Sequence, residues 1–387
     1  MPFAEIQLRS LVHELSLLAG SDVELLELAE LRPGRVARVT VREVVSSVTR
    51  AFVVKAVSHD AEFAKRRAQF EVELGSLRFL NEVCPEIAPV LVGWDLEAGI
   101  LVLEELHGLS LPDLLLGESA ATATEGLLVF ARVLGRLHRA TAGRDQQFYG
   151  LRNSIGPVDP LADRFFLRNQ DLREMRTESA RILSEADLPE WSNAATAEFS
   201  SVLASLAEPG EFLAFSNGDP CPGNEVLTED GLVFLDFEVG AFRHALLDTA
   251  YFAIPFPNCW CWQRVPDKLT RAMLDAYRAE VANGGVSVDE TTFWAEFARC
   301  RAAWVVYLVG SRFASGLLVD DRDRDFFTER QRMITVLEQF GAWQPGREAV
   351  STLAEWGSEL ARELRARWRG LNLAVGPYPA FATTTEI

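Results

Sequence analysis

The stretch 215–238 constrains this chain more than any other. It reads Phe-Ser-Asn-Gly-Asp-Pro-Cys-Pro-Gly-Asn-Glu-Val-Leu, a short turn, then Leu-Val-Phe-Leu-Asp-Phe-Glu. Asp219 and Asn224 lie in a loop rich in Gly and Pro, and Asp236 ends an apolar run. Thr228-Glu229-Asp230-Gly231 separates two β-type runs, and Asp-Gly in that position is a strong hairpin signal. The spacing predicts strands over 225–227 and 232–235 that bring all three polar side chains to one end of one hairpin.

That arrangement suits phosphoryl transfer. The reaction needs a carboxylate that orients and deprotonates a hydroxyl, and oxygen ligands for a metal on the nucleotide phosphates. Mg²⁺ takes oxygen donors, usually one or two carboxylates plus the phosphates. Asp219 is the candidate base; Asn224 and Asp236 are the candidate metal ligands. The Asp219–Asn224 spacing equals that of the protein-kinase catalytic loop, and Asp236-Phe237 sits where its Asp-Phe-Gly would. An isolated Asp-x-x-x-x-Asn is also an ordinary polar turn. The ordered set of loop, hairpin and Asp after Val-Phe-Leu favours the chemical reading.

Asn217-Gly218-Asp219-Pro220-Cys221-Pro222-Gly223-Asn224 resembles the His-Gly-Asp-x-x-x-x-Asn signature of the aminoglycoside phosphotransferase and choline kinase family. Leu235-Asp236-Phe237-Glu238 resembles its Ile-Asp-Phe-Gly/Glu, and Asp248 matches the last position of the Gly-Asp-Pro-x-x-Asp that follows. Asn217 stands where the family has His, a residue that supports the loop in relatives. The resemblance covers about 23–252 and is strongest over 215–252. It implies an α+β, two-lobed protein-kinase-like fold, with a five-stranded antiparallel sheet and a helix in the N-terminal lobe and a mostly helical C-terminal lobe. It also implies ATP or GTP as co-substrate with Mg²⁺. Protein-kinase activity fits less well, because Asn-Gly rather than His-Arg precedes Asp219 and no Ala-Pro-Glu follows Asp236.

The pattern along the chain agrees. Apolar residues at helical spacing predict a helix over 4–18, and alternation predicts strands over 23–31, 36–45 and 50–57. Lys55 lies in the third strand, in a chain whose only lysines are Lys55, Lys65 and Lys268. An ammonium is a compact point charge suited to phosphates; a solvated strand-face lysine is the plain alternative. A helix over 60–82 carries Glu71 and Glu73, and in the kinase template such a helix supplies the glutamate that pairs with the strand lysine. Glu73 fits the family pattern better than Glu71. Strands over 90–94 and 99–103 complete the sheet. Glu105-Leu106-x-Gly108-x-x-Leu111 follows, and the resemblance makes this the hinge, where backbone groups of about Glu104 and Leu106 bind the base. These readings divide the chain into a nucleotide-binding lobe (1–106), a helical lobe with the catalytic hairpin (107–370) and a tail (371–387).

Helices are predicted over 126–141, 266–283, 289–313, 325–340 and 347–369. His138 near the end of the first reads as a packed structural histidine rather than a catalytic one. Trp260 and Trp262 could hold a cation against their rings, but core anchors are the favoured reading.

Composition bounds the rest. Net charge is −18, which disfavours nucleic acid and anionic membranes and favours cationic small molecules. No apolar run reaches the length of a membrane span, and the N-terminus lacks a basic region before an apolar core. Five cysteines, only two of them close in sequence, fit a reducing cytoplasm better than a disulfide framework. Cys259-Trp-Cys261 lacks a second ligand pair for zinc. The expected activity is phosphorylation of a hydroxyl on a small acceptor, with aminoglycosides and amino alcohols as the cationic class. The alternatives are a sugar or nucleoside kinase of the same fold, or a nucleotide-binding pseudokinase.

Overall fold

The computed structural model describes residues 5–57, 62–168, 170–254, 256–283 and 289–382. The chain forms two compact units. The first comprises Met1–Gly108, Arg144–Val158 and Val226–Gly240; the second comprises Leu109–Gly143, Asp159–Glu225 and Ala241–Ile387.

The first unit starts with helix α1 (Glu5–Ala19) and strands β1 (Val23–Arg32), β2 (Val36–Glu43) and β3 (Thr49–Ala56). Helix α2 (Phe63–Val83) and strands β4 (Leu91–Asp95) and β5 (Ile100–Glu104) follow. The strands form one antiparallel sheet in the order β1-β2-β3-β5-β4. Period-two alternation decides its faces. Val39, Val41, Val54, Ile100 and Val102 point inward and pack on Leu11 and Leu15 of α1. Lys55, between inward Val54 and half-buried Ala56, therefore faces the other side, opposite Leu101 of β5 and Val36 of β2.

Helix α2 buries Phe70, Leu74, Leu77 and Leu80 on one stripe, and Glu73 with them. Residues 58–61, where the expected helix would begin, lie outside the described residues. The hairpin forms as its turn chemistry predicts. Glu225–Leu227 and Leu232–Phe234 are neighbouring strands, and the Thr228 N–H donates to the Gly231 carbonyl at 2.8 Å. The second strand ends at Phe234, one residue earlier than expected.

The second unit is organised around the helix Glu290–Ala314. Phe297, Ala302, Trp304, Val305 and Val309 are all buried, and Arg301 with them, so the helix is covered on every side over its middle turns. Such a helix belongs inside a bundle. It packs against Leu172–Glu185, Asn193–Ala207, Leu246–Ala253 and Glu329–Ala342. The Asp289 side chain caps its start by accepting from Thr292 N–H at 3.0 Å. Trp304 Nε1 donates to the Leu247 carbonyl at 2.8 Å.

Two expectations fail here. The helix expected from 325 starts at Glu329, because Thr328 caps it and Gln331 completes the capping box. The expected tail is packed over the part that is described. Leu373, Tyr378, Ala380 and Phe381 are buried, and Tyr378 N–H bonds the Arg264 carbonyl at 3.1 Å. Pro-Tyr-Pro reads as loop chemistry, yet its apolar side chains find a surface to cover. Residues 383–387 lie outside the described residues.

Gly310 marks a close approach of two helix backbones. A Cβ there would meet the Met175 carbonyl oxygen at 2.2 Å, a backbone atom that cannot swing aside. Gly310→Ala is expected to lower stability by about 1–3 kcal/mol, as overpacking does. Urea unfolding checks this, and an unchanged midpoint contradicts the close contact.

Candidate active site

In the first unit, Lys55 joins two elements that are distant in sequence. Its Nζ lies 2.5 Å from Glu73 Oε1 and 3.1 Å from Asp236 Oδ1. Glu71, the alternative partner, pairs with Arg67 at 2.9 Å on its own helix. The phase of α2 decides between them, since Glu73 shares the buried stripe. Burial alone would lower the Lys55 pKa, but the charges of Glu73 and Asp236 outweigh it and hold the ammonium above its ordinary value. Burial pushes Asp236 up, and Lys55, Arg32 and Arg35 reverse this, so the carboxyl sits below its usual range. Asp236 has φ +62°, a left-handed conformation uncommon outside Gly, Asn and Asp.

Arg32, Arg35, Lys55 and Arg66 line one small cavity together with Asp236 and Glu238. Arg32 and Arg35 flank the β1–β2 turn. Four cations around one concavity suit a polyanion such as a nucleotide phosphate chain. Glu238 is pushed up to about 7 by burial and by the charges of Asp236 and Glu73. Its Oε1 accepts from Gln69 Nε2 at 3.0 Å.

At the end of β5, the Glu104 N–H bonds the Val90 carbonyl at 3.1 Å, and its Oε1 accepts from the Val90 N–H at 2.9 Å. Leu106 follows in a half-buried, irregular segment. Glu105 pairs with Arg38.

In the second unit, the loop after Leu213–Ser216 holds Asp219 through a relay of hydrogen bonds. His138 is buried and lies 2.8 Å from the Tyr277 hydroxyl and 3.2 Å from Asp248 Oδ2. Asp248 Oδ1 accepts from the Ser216 hydroxyl at 2.7 Å. The Ser216 oxygen accepts from Gly218 N–H at 3.0 Å. Gly218 has φ +77°, a turn that a residue with a Cβ would strain. Asn217 Oδ1 accepts from Asp219 N–H at 3.2 Å, so Asn217 also braces the loop. His138 thus packs and positions, as its place on an amphipathic helix suggests.

Asp219 has partners on both oxygens. Tyr251 donates its hydroxyl to Oδ1 at 3.2 Å, and Arg168 Nη2 lies 2.8 Å from Oδ2. Burial, then the charge of Asp219, keep the Tyr251 hydroxyl far above its usual pKa, so it stays a neutral donor. Asn224 Nδ2 donates to the Asp219 carbonyl at 2.9 Å, which turns its Oδ1 away from that bond. Neither Arg168 nor Tyr251 stood out in the sequence. Arg168 sits at φ +55° between two-residue strands, too short to leave a periodic pattern.

Two further features were not legible. Glu225 is fully buried, with its carboxylate shut away from solvent. Burial, then the charge of nearby Asp219, push its pKa well above the usual carboxylate range. Cys221 is disulfide-bonded to Cys259, where the cysteine count and spacing had favoured a reducing environment over a disulfide framework. The two tryptophans divide: Trp262 is fully buried against Phe327, as a core anchor, while Trp260 is 53% exposed.

The donor set suits a hard cation. Among the described residues, no group of three or more His, Cys, Asp or Glu could hold a metal. Asn224 in the second unit offers an amide oxygen and Asp236 in the first a carboxylate, donor types that suit Mg²⁺. No helix among the described residues is long and apolar enough to cross a membrane.

A five-stranded antiparallel sheet whose third strand carries a lysine paired with the glutamate of the following helix is the protein-kinase-like arrangement. No family model and no curated protein matches the chain. Solved structures similar to it include the choline kinase of Cryptosporidium parvum Iowa II, at 14% identity and TM-score 0.44, over 89% of this chain and 90% of that one. A thermostable mutant of an aminoglycoside phosphotransferase is similar at 13% identity and TM-score 0.39, over 91% and 98%. An amicoumacin kinase solved with AMP-PNP and Ca²⁺ is similar at 10% identity and TM-score 0.43, over 92% and 93%.

The raised Glu238 carboxyl makes a signed prediction. Its folded pKa of about 7 exceeds the ordinary carboxyl value of 4.5, so the native state binds the extra proton between them. That contribution is full below about pH 4.5 and is lost as pH rises through about 7. Glu238→Gln keeps an acceptor for Gln69 and removes the titration. The variant is expected to melt higher than wild type at pH 8, with the gap closing toward pH 4.5. A gap that is constant with pH contradicts the assignment.

Proposed function

We propose that this chain is a small-molecule kinase. It transfers the γ-phosphoryl group of ATP or GTP to a hydroxyl of a small acceptor, in the presence of Mg²⁺. The observation that carries the reading is Lys55 held between Glu73 and Asp236. Phosphoryl transfer relies on such a lysine, fixed by a helix glutamate, to position the phosphates.

In this reading residues 1–106 form the nucleotide lobe and 107–370 carry the acceptor chemistry. Lys55, with Arg32 and Arg35 nearby, meets the phosphates, while backbone groups of Glu104 and Leu106 meet the base. Asn224 and Asp236 would hold Mg²⁺, which neutralises charge on the phosphate oxygens when bound. Asp219 accepts the proton of the acceptor hydroxyl as that oxygen forms its bond to phosphorus and the nucleoside diphosphate leaves. Its Oδ2 exchanges Arg168 for the hydroxyl, and Tyr251 keeps the carboxylate oriented from Oδ1.

The net charge of −18 favours a cationic acceptor such as an aminoglycoside or amino alcohol over a neutral sugar or nucleoside. The reading includes a cytoplasmic location. A second reading, a nucleotide-binding protein without turnover, draws on the two partners that already occupy Asp219.

An acceptor panel of hydroxylated amines, sugars and nucleosides, read by nucleoside diphosphate release, separates the two. Turnover on at least one amine is expected. Asp219→Asn is expected to lower kcat by about 10²-fold or more, the usual scale of a positioned base, while nucleotide affinity holds. Near-wild-type turnover in that variant removes Asp219 from the role. Nucleotide binding with no turnover across the panel supports the second reading.

A further inference from the structure

Three of the five cysteines meet beside the Asp219 loop. Cys221 lies two residues after Asp219 and three before Asn224, and it is bonded to Cys259 with a Cα–Cα distance of 5.5 Å. That separation lies in the ordinary disulfide range. Cys261 Sγ lies 3.3 Å from Cys259 Sγ, a third sulfur in contact with the bond.

The backbone makes the bond a tether. Asp219, Cys221 and Asn224 are tied by Cys221 N–H to the Asp219 carbonyl and Asn224 N–H to the Cys221 carbonyl, both 2.7 Å. At the other end, Arg332 donates to the carbonyls of Pro257 and Cys259 at 2.6 and 2.9 Å. The disulfide therefore fastens the loop 219–224 to a segment anchored on the helix Glu329–Ala342. Without it, the loop keeps its own turn bonds, the relay through Ser216 and the side-chain bonds of Tyr251 and Arg168 to Asp219, but no covalent link to the 257–259 segment.

We propose that Cys221, Cys259 and Cys261 form a thiol–disulfide exchange site that switches the loop 219–224 between a tethered and a released state. Two balanced routes release it. In the first, a small-molecule or protein thiolate attacks Cys221, the most exposed of the three at 7%. A mixed disulfide forms and Cys259 leaves as thiolate. A second thiol then resolves the mixed disulfide, so two thiols are oxidised and the protein gains two electrons and two protons. In the second route, the Cys261 thiolate attacks Cys259 Sγ. The Cys259–Cys261 bond forms, the Cys221–Cys259 bond breaks, and Cys221 leaves as thiolate, with no external oxidant or reductant. Burial pushes the Cys261 thiol up to about 12, so this internal route is slow at neutral pH and quickens as pH rises.

The consequence for catalysis rests on the kinase reading; the linkage and the loop's order do not. The test uses the full chain, air-oxidised or treated with dithiothreitol, alkylated under denaturing conditions and mapped by mass spectrometry without further reduction. Oxidised wild type is expected to yield the Cys221–Cys259 linkage, with a Cys259–Cys261 fraction that grows at pH 9. Cys221→Ser is expected to yield only Cys259–Cys261, and Cys261→Ser only Cys221–Cys259. Hydrogen exchange of the amides in 219–224 is expected to quicken about tenfold or more on reduction, since local opening sets it. In Cys259→Ser it is expected to be fast with or without dithiothreitol. Three fully alkylated cysteines in the oxidised protein overturn the proposal. So does loop exchange indifferent to reduction, or a Cys221→Ser protein with no Cys259–Cys261 linkage. Absence of phosphoryl transfer leaves both readouts intact, so the two ideas fail separately.

Discussion

The first unit depends on one ammonium with two carboxylates. Removing charges from water costs several kcal/mol per ion, and a buried pair often returns no net stability. Lys55, Glu73 and Asp236 are therefore hard to explain as structural glue. The cost is understandable if the cluster exists to present a fixed positive charge to an anion. The sheet makes that possible, because β3 is a central strand and its backbone cannot shift without breaking ladders to both β2 and β5. Helix α2 brings Glu73 to the same point through an apolar stripe that fixes its rotation.

The second unit solves a different problem: holding a carboxylate on a loop. Loops lack ladder bonds, so Asp219 is fixed by what surrounds it. The relay from His138 through Asp248 and Ser216 sets the backbone, and Tyr251 and Arg168 set the side chain. The disulfide adds a covalent constraint from a segment 38 residues away. A structure that needs this many restraints at one residue is one in which the position of that residue matters.

Much of this was legible in the chain. Strand alternation and helical stripes located the strands and helices of the first unit, and Asp-Gly located the hairpin; the strand order in the sheet was not read. The scarcity of lysine drew attention to Lys55, and the stripe that buries Leu74 and Leu77 explains why Glu73 rather than Glu71 meets it. What escaped was non-local. Nothing in the spacing of Cys221 and Cys259 tells that their Cα atoms approach, and a two-residue strand beside Arg168 has no period to read. Residues 371–382 look like a tail because Pro and Gly mark loops, yet a loop with Tyr378 and Phe381 can still cover a core. Glu225 sits in a strand where its neighbours gave no warning that its carboxyl is buried.

The central claim is that Lys55 recognises the phosphate chain of a nucleotide. Calorimetric titration of wild type and Lys55→Met with ATP plus Mg²⁺, and separately with adenosine, tests it most directly, with circular dichroism verifying that the variant folds. The account predicts at least a tenfold loss of affinity for the triphosphate, about 1.4 kcal/mol, and little change for adenosine. A folded Lys55→Met protein that binds ATP as wild type does would contradict it.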